Sequence, residues 1–309
     1  MARLRGAAAR LFPVFFGAAL LLFPDVSAAA AREGVALCLQ TVLPSLFPFF
    51  VLSSLLVQSD VPRLLSRAMA GVMYPLFGVS GAGASALILG LLGGYPVGAR
   101  TVAELYGRGE IAREEAEQLL AFCNNSGPGF FLGVCGTAVF GSARAGAYLY
   151  LIHVGAALVT GVLLRRNLGL PRRKAVSRQR APFDLAAALP AAVQSSFAAV
   201  GSVSAFVIFF MVLLRLLSLM PALAALPPLP RAALFGFVEM TNGVNALPAT
   251  RAGFVLCAAI MNWGGLSVQA QTRAMLAGSA LSARRCVIGK VVQALAGVPL
   301  ALLAAQRLF

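Results

Sequence analysis

Between positions 122 and 133 the chain reads FCNNSGPGFFLG, with two amides, a hydroxyl, a glycine and a proline set in apolar sequence. A continuous helix does not run easily through Gly127-Pro128, because proline lacks the N–H and its ring collides with the preceding turn. In hydrocarbon each freed backbone group costs about several kcal/mol unless protein or a wet cavity satisfies it, so a break of this kind is buried. A second break, Asn262-Trp263-Gly264-Gly265, lies in the last third of the chain. Two such interruptions in corresponding places predict two repeats, each carrying a discontinuous helix.

The surroundings decide the solvent. With 60% hydrophobic and 11% charged residues and a mean hydropathy of +0.86, the composition excludes an ordinary soluble globule. Apolar segments of spanning length, about 20 residues, recur along the whole chain. An all-α, polytopic membrane protein is expected, multi-pass in the cell membrane with a cytoplasmic N-terminus. Five scattered cysteines (Cys38, Cys123, Cys135, Cys257, Cys286) have no metal-ligand spacing and read as small buried hydrophobes rather than as a soft-metal route. The net charge of +15 does not point to nucleic acid. It concentrates in Arg165, Arg166, Arg172, Arg173, Lys174, Arg178 and Arg180, a loop that reads as topogenic and cytoplasmic.

Taken in order, residues 11–23 form a short apolar run behind Arg3, Arg5 and Arg10. A cleaved signal ending in the Val26-Ser27-Ala28 region is one reading; an uncleaved helix extended by Ala28 to Ala31 is the preferred one. Residues 33–58 form a span kinked by Pro44 and Pro48. A short basic connection with Arg63 and Arg67 follows, then a re-entrant helical hairpin over 82–106 with its tip at Gly93-Gly94-Tyr95-Pro96. Each limb is about half a membrane thick at 1.5 Å per residue. Arg100 and Glu104, four apart, can pair on one face. Glu114, Glu115 and Glu117 mark the start of the helix entering the Asn124-Asn125 break. A span over 145–164 carries the lone histidine, His153, read as a packed or hydrogen-bonded helix residue.

The second half repeats this order. Residues 190–217 are a span with Gln194, Ser195 and Ser196 near its start, followed by a proline-rich loop. A second hairpin over 231–247 has the tip Glu239-Met240-Thr241-Asn242-Gly243. Residues 253–275 are the second interrupted helix. Arg284, Arg285 and Lys290 read as a cytoplasmic turn, and 287–305 as the last span. The division is thus an N-terminal helix over 1–31, a first repeat over 32–165, a basic loop over 166–185 and a second repeat over 186–309. Each repeat is span, hairpin, broken helix, span, and the two are inverted. Most of the 25 Lys and Arg then fall on the cytoplasmic side, with Arg32, Arg144, Arg215, Arg231, Arg251 and Arg307 outside.

The phrases GGYPVGA, AEQLLAFCNNSGPGFFLG and GFVEMTNG, in this order, resemble the sporulation integral membrane protein family named YlbJ. That family carries the nucleoside-recognition or gate domain and is similar to spore maturation membrane proteins, concentrative nucleoside transporters and the membrane part of ferrous-iron transporters. The resemblance covers about 31–305. It implies that two hairpin tips meet two broken helices at a central substrate site. By motif this site would hold Tyr95 and Pro96 at the first tip, Asn124, Asn125 and Ser126 at the first break, Glu239, Thr241 and Asn242 at the second tip, and Asn262 at the second break.

The residue chemistry is compatible with that site. Amides and hydroxyls suit a sugar or base edge, and half-helix ends add oriented dipoles. A carboxylate at membrane depth is costly and by default functional, which makes Glu239 a cation, proton or hydroxyl site; the plainer reading is an ion pair with Arg231 or Arg251 that locks the hairpin. Self-capping would equally explain Asn124 to Ser126, and space filling would explain Trp263 and Tyr95. No nucleophile, base and orienter stand together, so neither an enzyme nor a cofactor is expected. The partners implied are membrane lipid, a small polar solute and a coupling cation, Na+ or H+; nucleic acid is not, and a homo-oligomer is compatible. The function expected is a secondary transporter or pore, with a membrane scaffold in spore envelope formation as the alternative.

Overall fold

The structure is a computed structural model that describes residues 2–168 and 183–309. Most of the basic loop, including Arg172, Arg173, Lys174, Arg178 and Arg180, lies outside the described residues. Among the described residues every regular element is helical. Four helices are long and apolar enough to cross a membrane, or up to six spans if each bent helix pair counts as one.

The first difference from the sequence reading comes at Phe23. Helix α1 (Ala2–Leu22) and α2 (Pro24–Leu37) meet at 100°, so Ala28 to Ala31 extend α2 and not α1. The cause is local. Pro24 pushes the residue before it out of the helical region, and Phe23 sits at φ −128°, ψ 56°. The Ser27 hydroxyl donates to the Phe23 carbonyl at 2.9 Å and closes the corner. The boundary expected at residue 31 therefore falls inside a helix.

From Pro24 the chain stays helical to Gln58 through a wide π turn, Cys38–Val42, into α3 (Leu43–Gln58). The wide turn precedes Pro44, whose missing N–H and ring would otherwise disrupt the ladder. The stretch read as a short basic connection is instead a full helix, α4 (Val61–Phe77). It turns Pro62, Met73 and Phe77 inward and leaves Arg63 and Arg67 exposed. Gly78, at φ 68°, ends it.

The expected first hairpin is present as α5 (Ala84–Gly93) and α6 (Val97–Gly107). The pairing of Arg100 with Glu104 is also present, at 2.9 Å. The same guanidinium donates to the Ser195 and Ser196 hydroxyls at 2.9 and 3.3 Å, tying the hairpin to the second half. Helix α7 (Arg113–Leu120) leads to an irregular stretch, then a π-helical segment, Phe130–Val139, and α8 (Ala143–Leu163), capped by Ser142.

The second half opens with α9 (Leu185–Leu217), capped by Asp184, and a short α10 (Pro221–Ala224). The second hairpin is α11 (Pro228–Val238) and α12 (Met240–Asn245). Helices α13 (Arg251–Trp263) and α14 (Gly265–Met275) are the second interrupted helix, and α15 (Arg284–Leu308) closes the chain. The parts thus follow each other in the same order in both halves. Helix α15 packs against α13 and α8, and α9 packs against α2 and α3.

Glycines set the closest approaches. The Cys123 carbonyl is wedged against Gly90 and Gly98 of the two hairpin limbs, and the Ala121 carbonyl touches Gly289 of α15, where an added Cβ would overlap backbone. Gly133 has nothing within 4 Å of such an atom. Gly289→Ala should therefore cost about 1–3 kcal/mol, seen as a lower Tm of the detergent-purified protein. Gly133→Ala should stay within about 0.5 kcal/mol of the parent.

Candidate functional site

The four interruptions meet. Gly94 of the first tip lies against Gly127 of the first break, where a Cβ would sit 3.1 Å from the Gly127 nitrogen. Its neighbour Tyr95 donates from its hydroxyl to the Met261 carbonyl, just before the second break, at 3.2 Å. The second break opens at Gly264 and Gly265, with φ of 80° and 83°. Gly265 faces the backbone of Val238 to Met240 at the second tip, and the Trp263 indole donates to the Phe237 carbonyl at 3.0 Å. The first break reaches the second interrupted helix through Asn124 Nδ2, which donates to Thr272 Oγ1 at 2.9 Å.

At the centre is a closed polar network. The Ser126 N–H donates to His153 Nε2 at 3.1 Å, so that nitrogen keeps its lone pair and the ring proton is on Nδ1. Nδ1–H then donates to Asn262 Oδ1 at 2.8 Å, and Asn262 Nδ2 donates to the Ala258 carbonyl, also at 2.8 Å. Asn125 Nδ2 closes the turn after α7 by donating to the Phe122 carbonyl at 2.7 Å. Its Oδ1 accepts from Lys290 Nζ at 3.2 Å and from Gln293 Nε2 at 3.0 Å.

Lys290 corrects the sequence reading. Counted there as a cytoplasmic charge, it is wholly buried in α15, its ammonium donating to Tyr95, Asn125 and Gln293. Gln293 and His153 likewise belong to the network. The signal was in the sequence. Cys286, Gly289 with Lys290, Gln293 and Gly297 recur every three or four residues, are small or polar in an apolar helix, and all five face inward.

Of the residues named by motif, Tyr95, Asn125, Ser126 and Asn262 enter this network, and Asn124 borders it. Pro96 is buried at the start of α6, where its carbonyl accepts from Arg100 N at 3.0 Å. Glu239 is 5% exposed, but its carboxylate is committed to its own helix. Oε1 accepts from Thr241 N at 3.0 Å, and Oε2 from Asn242 N and Nδ2 at 2.8 and 2.9 Å. Among the described residues no ion pair joins it to Arg231 or Arg251. Glu239 is an N-cap, and Thr241 and Asn242 follow it, half-buried, outside the central network.

Two helical hairpins, two broken helices and a shared polar crossing define a polytopic membrane protein of the gate type. The family model described as Gate, nucleoside recognition, matches residues 39–213, and the chain belongs to that family. It is 28% identical to the sporulation integral membrane protein YlbJ of Bacillus subtilis, across 91% of this chain and 78% of that one. No solved structure matches it.

Asn125→Ala should strand both the Phe122 carbonyl and one Lys290 donor. A loss of about 2–4 kcal/mol follows from unsatisfied buried groups next to a charge, readable as a Tm several degrees lower. Thr241→Val, outside the network, should change stability by about 0.5 kcal/mol or less.

Proposed function

We propose that this protein is a secondary transporter or pore for a small polar solute, nucleoside-like in chemistry, acting in a spore-forming programme with its N-terminus in the cytoplasm. The observation that carries this reading is the meeting of both tips and both breaks, joined across the halves by side-chain hydrogen bonds. Bonds such as those between Tyr95 and Met261, and between Asn124 and Thr272, can be exchanged when one repeat moves against the other. A packed apolar seam offers no such exchange.

A place for solute lies beside the second break. Phe206, Phe210, Trp263, Gln269 and Arg273 line an open cavity of about 630 Å³. The Gln269 side chain is 6% exposed, and its Oε1 accepts no hydrogen bond among the described residues. The aromatic faces suit the π surface of a base, and the buried, unpartnered Gln269 acceptor would suit its N–H edge once the side chain turns toward the cavity. The cellular setting is taken from the Bacillus subtilis relative, whose name is that of a sporulation protein.

One observation favours a second reading. At the crossing, Asn125, Asn262, His153 and Lys290 are satisfied by protein groups, as in a scaffold that moves nothing. Uptake into proteoliposomes separates the two. With isotope-labelled uridine and adenosine, saturable uptake should fall at least about tenfold in Gln269→Ala, the loss of one buried hydrogen bond to solute. Unchanged uptake in that variant overturns the assigned cavity. Absent uptake, with sporulation retained when Glu239, Asn125 and Asn262 are all made alanine, favours the scaffold.

A further inference from the structure

Among the described residues Lys290 is the one charged side chain with no exposed surface, and no carboxylate touches it. A buried ion is tolerated only when its hydrogen-bonding groups are met. Here the count closes. An ammonium has three donors and no acceptor, and its partners are three neutral oxygens: Gln293 Oε1 at 2.7 Å, Tyr95 Oη at 3.1 Å and Asn125 Oδ1 at 3.2 Å. The nitrogen also lies 4.9 Å from the centre of the Tyr95 ring.

The direction of every bond is fixed. Tyr95 spends its O–H on the Met261 carbonyl. Asn125 spends its amide on the Phe122 carbonyl, and Gln293 spends its own on Asn125 Oδ1 and the His153 carbonyl. None of the three can turn to donate to an uncharged amine. The surrounding titratable groups are Tyr95 on the first tip, Cys123 after α7, His153 on α8 and Cys286 on α15. On α13 and α14 the nearest members of the network, Asn262 bonded to His153 and Thr272 bonded to Asn124, carry no charge. Neutral oxygens converging on one charge from separate elements form the kind of cage that replaces the hydration shell of a monovalent cation.

We propose that Lys290 is the protein's own cation: its ammonium fills the oxygen cage that a free monovalent ion would otherwise occupy, so the site exchanges a proton and does not bind Na+. Loss of the proton to water leaves the electron pair on Nζ and removes one donor. One of the three oxygens then loses its partner, and the tie between the first tip, the first break and α15 loosens. The assignment of the proton as coupling ion rests on the transport reading; the cage does not.

The test uses the full chain in detergent, with Tm compared at equal ionic strength in about 100 mM NaCl, KCl, NH4Cl or choline chloride. The parent should show the same Tm in all four within about 1 °C. Lys290→Ala, which empties the cage, should be less stable in choline and gain about 3 °C or more from at least one small cation, as expected for a ligand at about ten times its Kd. Lys290→Ser serves if the alanine variant does not fold. Stabilisation of the parent by Na+ over choline overturns the proposal, and so does an opened cage indifferent to all three small cations. The parent comparison decides alone if neither variant folds. Failure of every solute to be taken up, with the salt result intact, would sink the transport reading and leave the cage standing.

Discussion

Every polar group at the crossing must find a protein partner, and the rest of the fold follows from that requirement. A helix that breaks in the middle of a membrane frees donors and acceptors with no water to take them. Here the interruptions close one another: Tyr95 at the first tip donates to the Met261 carbonyl, Asn124 at the first break to Thr272, and Trp263 at the second break to the Phe237 carbonyl, while Ser126 and Asn262 share His153 of α8. The breaks are tolerable because they stand together. Separately, each would carry the full cost of its unsatisfied groups.

The same requirement accounts for the glycines and for the distribution of charge. The Cys123 and Ala121 carbonyls can press on neighbouring helices only where Gly90, Gly98 and Gly289 offer no side chain. The buried cations Arg100 and Lys290 are each held by three hydrogen bonds. Arg100 is held by Glu104, Ser195 and Ser196, and Lys290 by three neutral oxygens. Both cross-link the halves. Glu239 is satisfied within its own helix end and links nothing by charge.

The order of parts was legible because proline and glycine punctuate an apolar chain plainly. Both hairpins, both breaks and the Arg100–Glu104 pair follow from spacing. What escaped depended on direction. Lys290 lies close behind Arg284 and Arg285, and as a member of a basic run it looks like a loop residue. Its depth shows only when Cys286, Gly289, Gln293 and Gly297 are laid on the same helical face. The bend at Phe23 was hidden because alanines continue a helix as readily after a corner as before it. Glu239 was read for its charge; its place immediately before Met240 to Asn245 also makes it a cap, which the charge reading left out.

The contact between Gly289 and the Ala121 carbonyl has a mechanical consequence. Two backbones touching without a side chain between them have no soft material to compress, so the energy rises steeply for any approach or sideways slip at that point. Tilting about it disturbs the contact least. Helix α15 therefore bears on the first break as a lever bears on its fulcrum, and small angular changes at the centre become larger displacements toward its two ends.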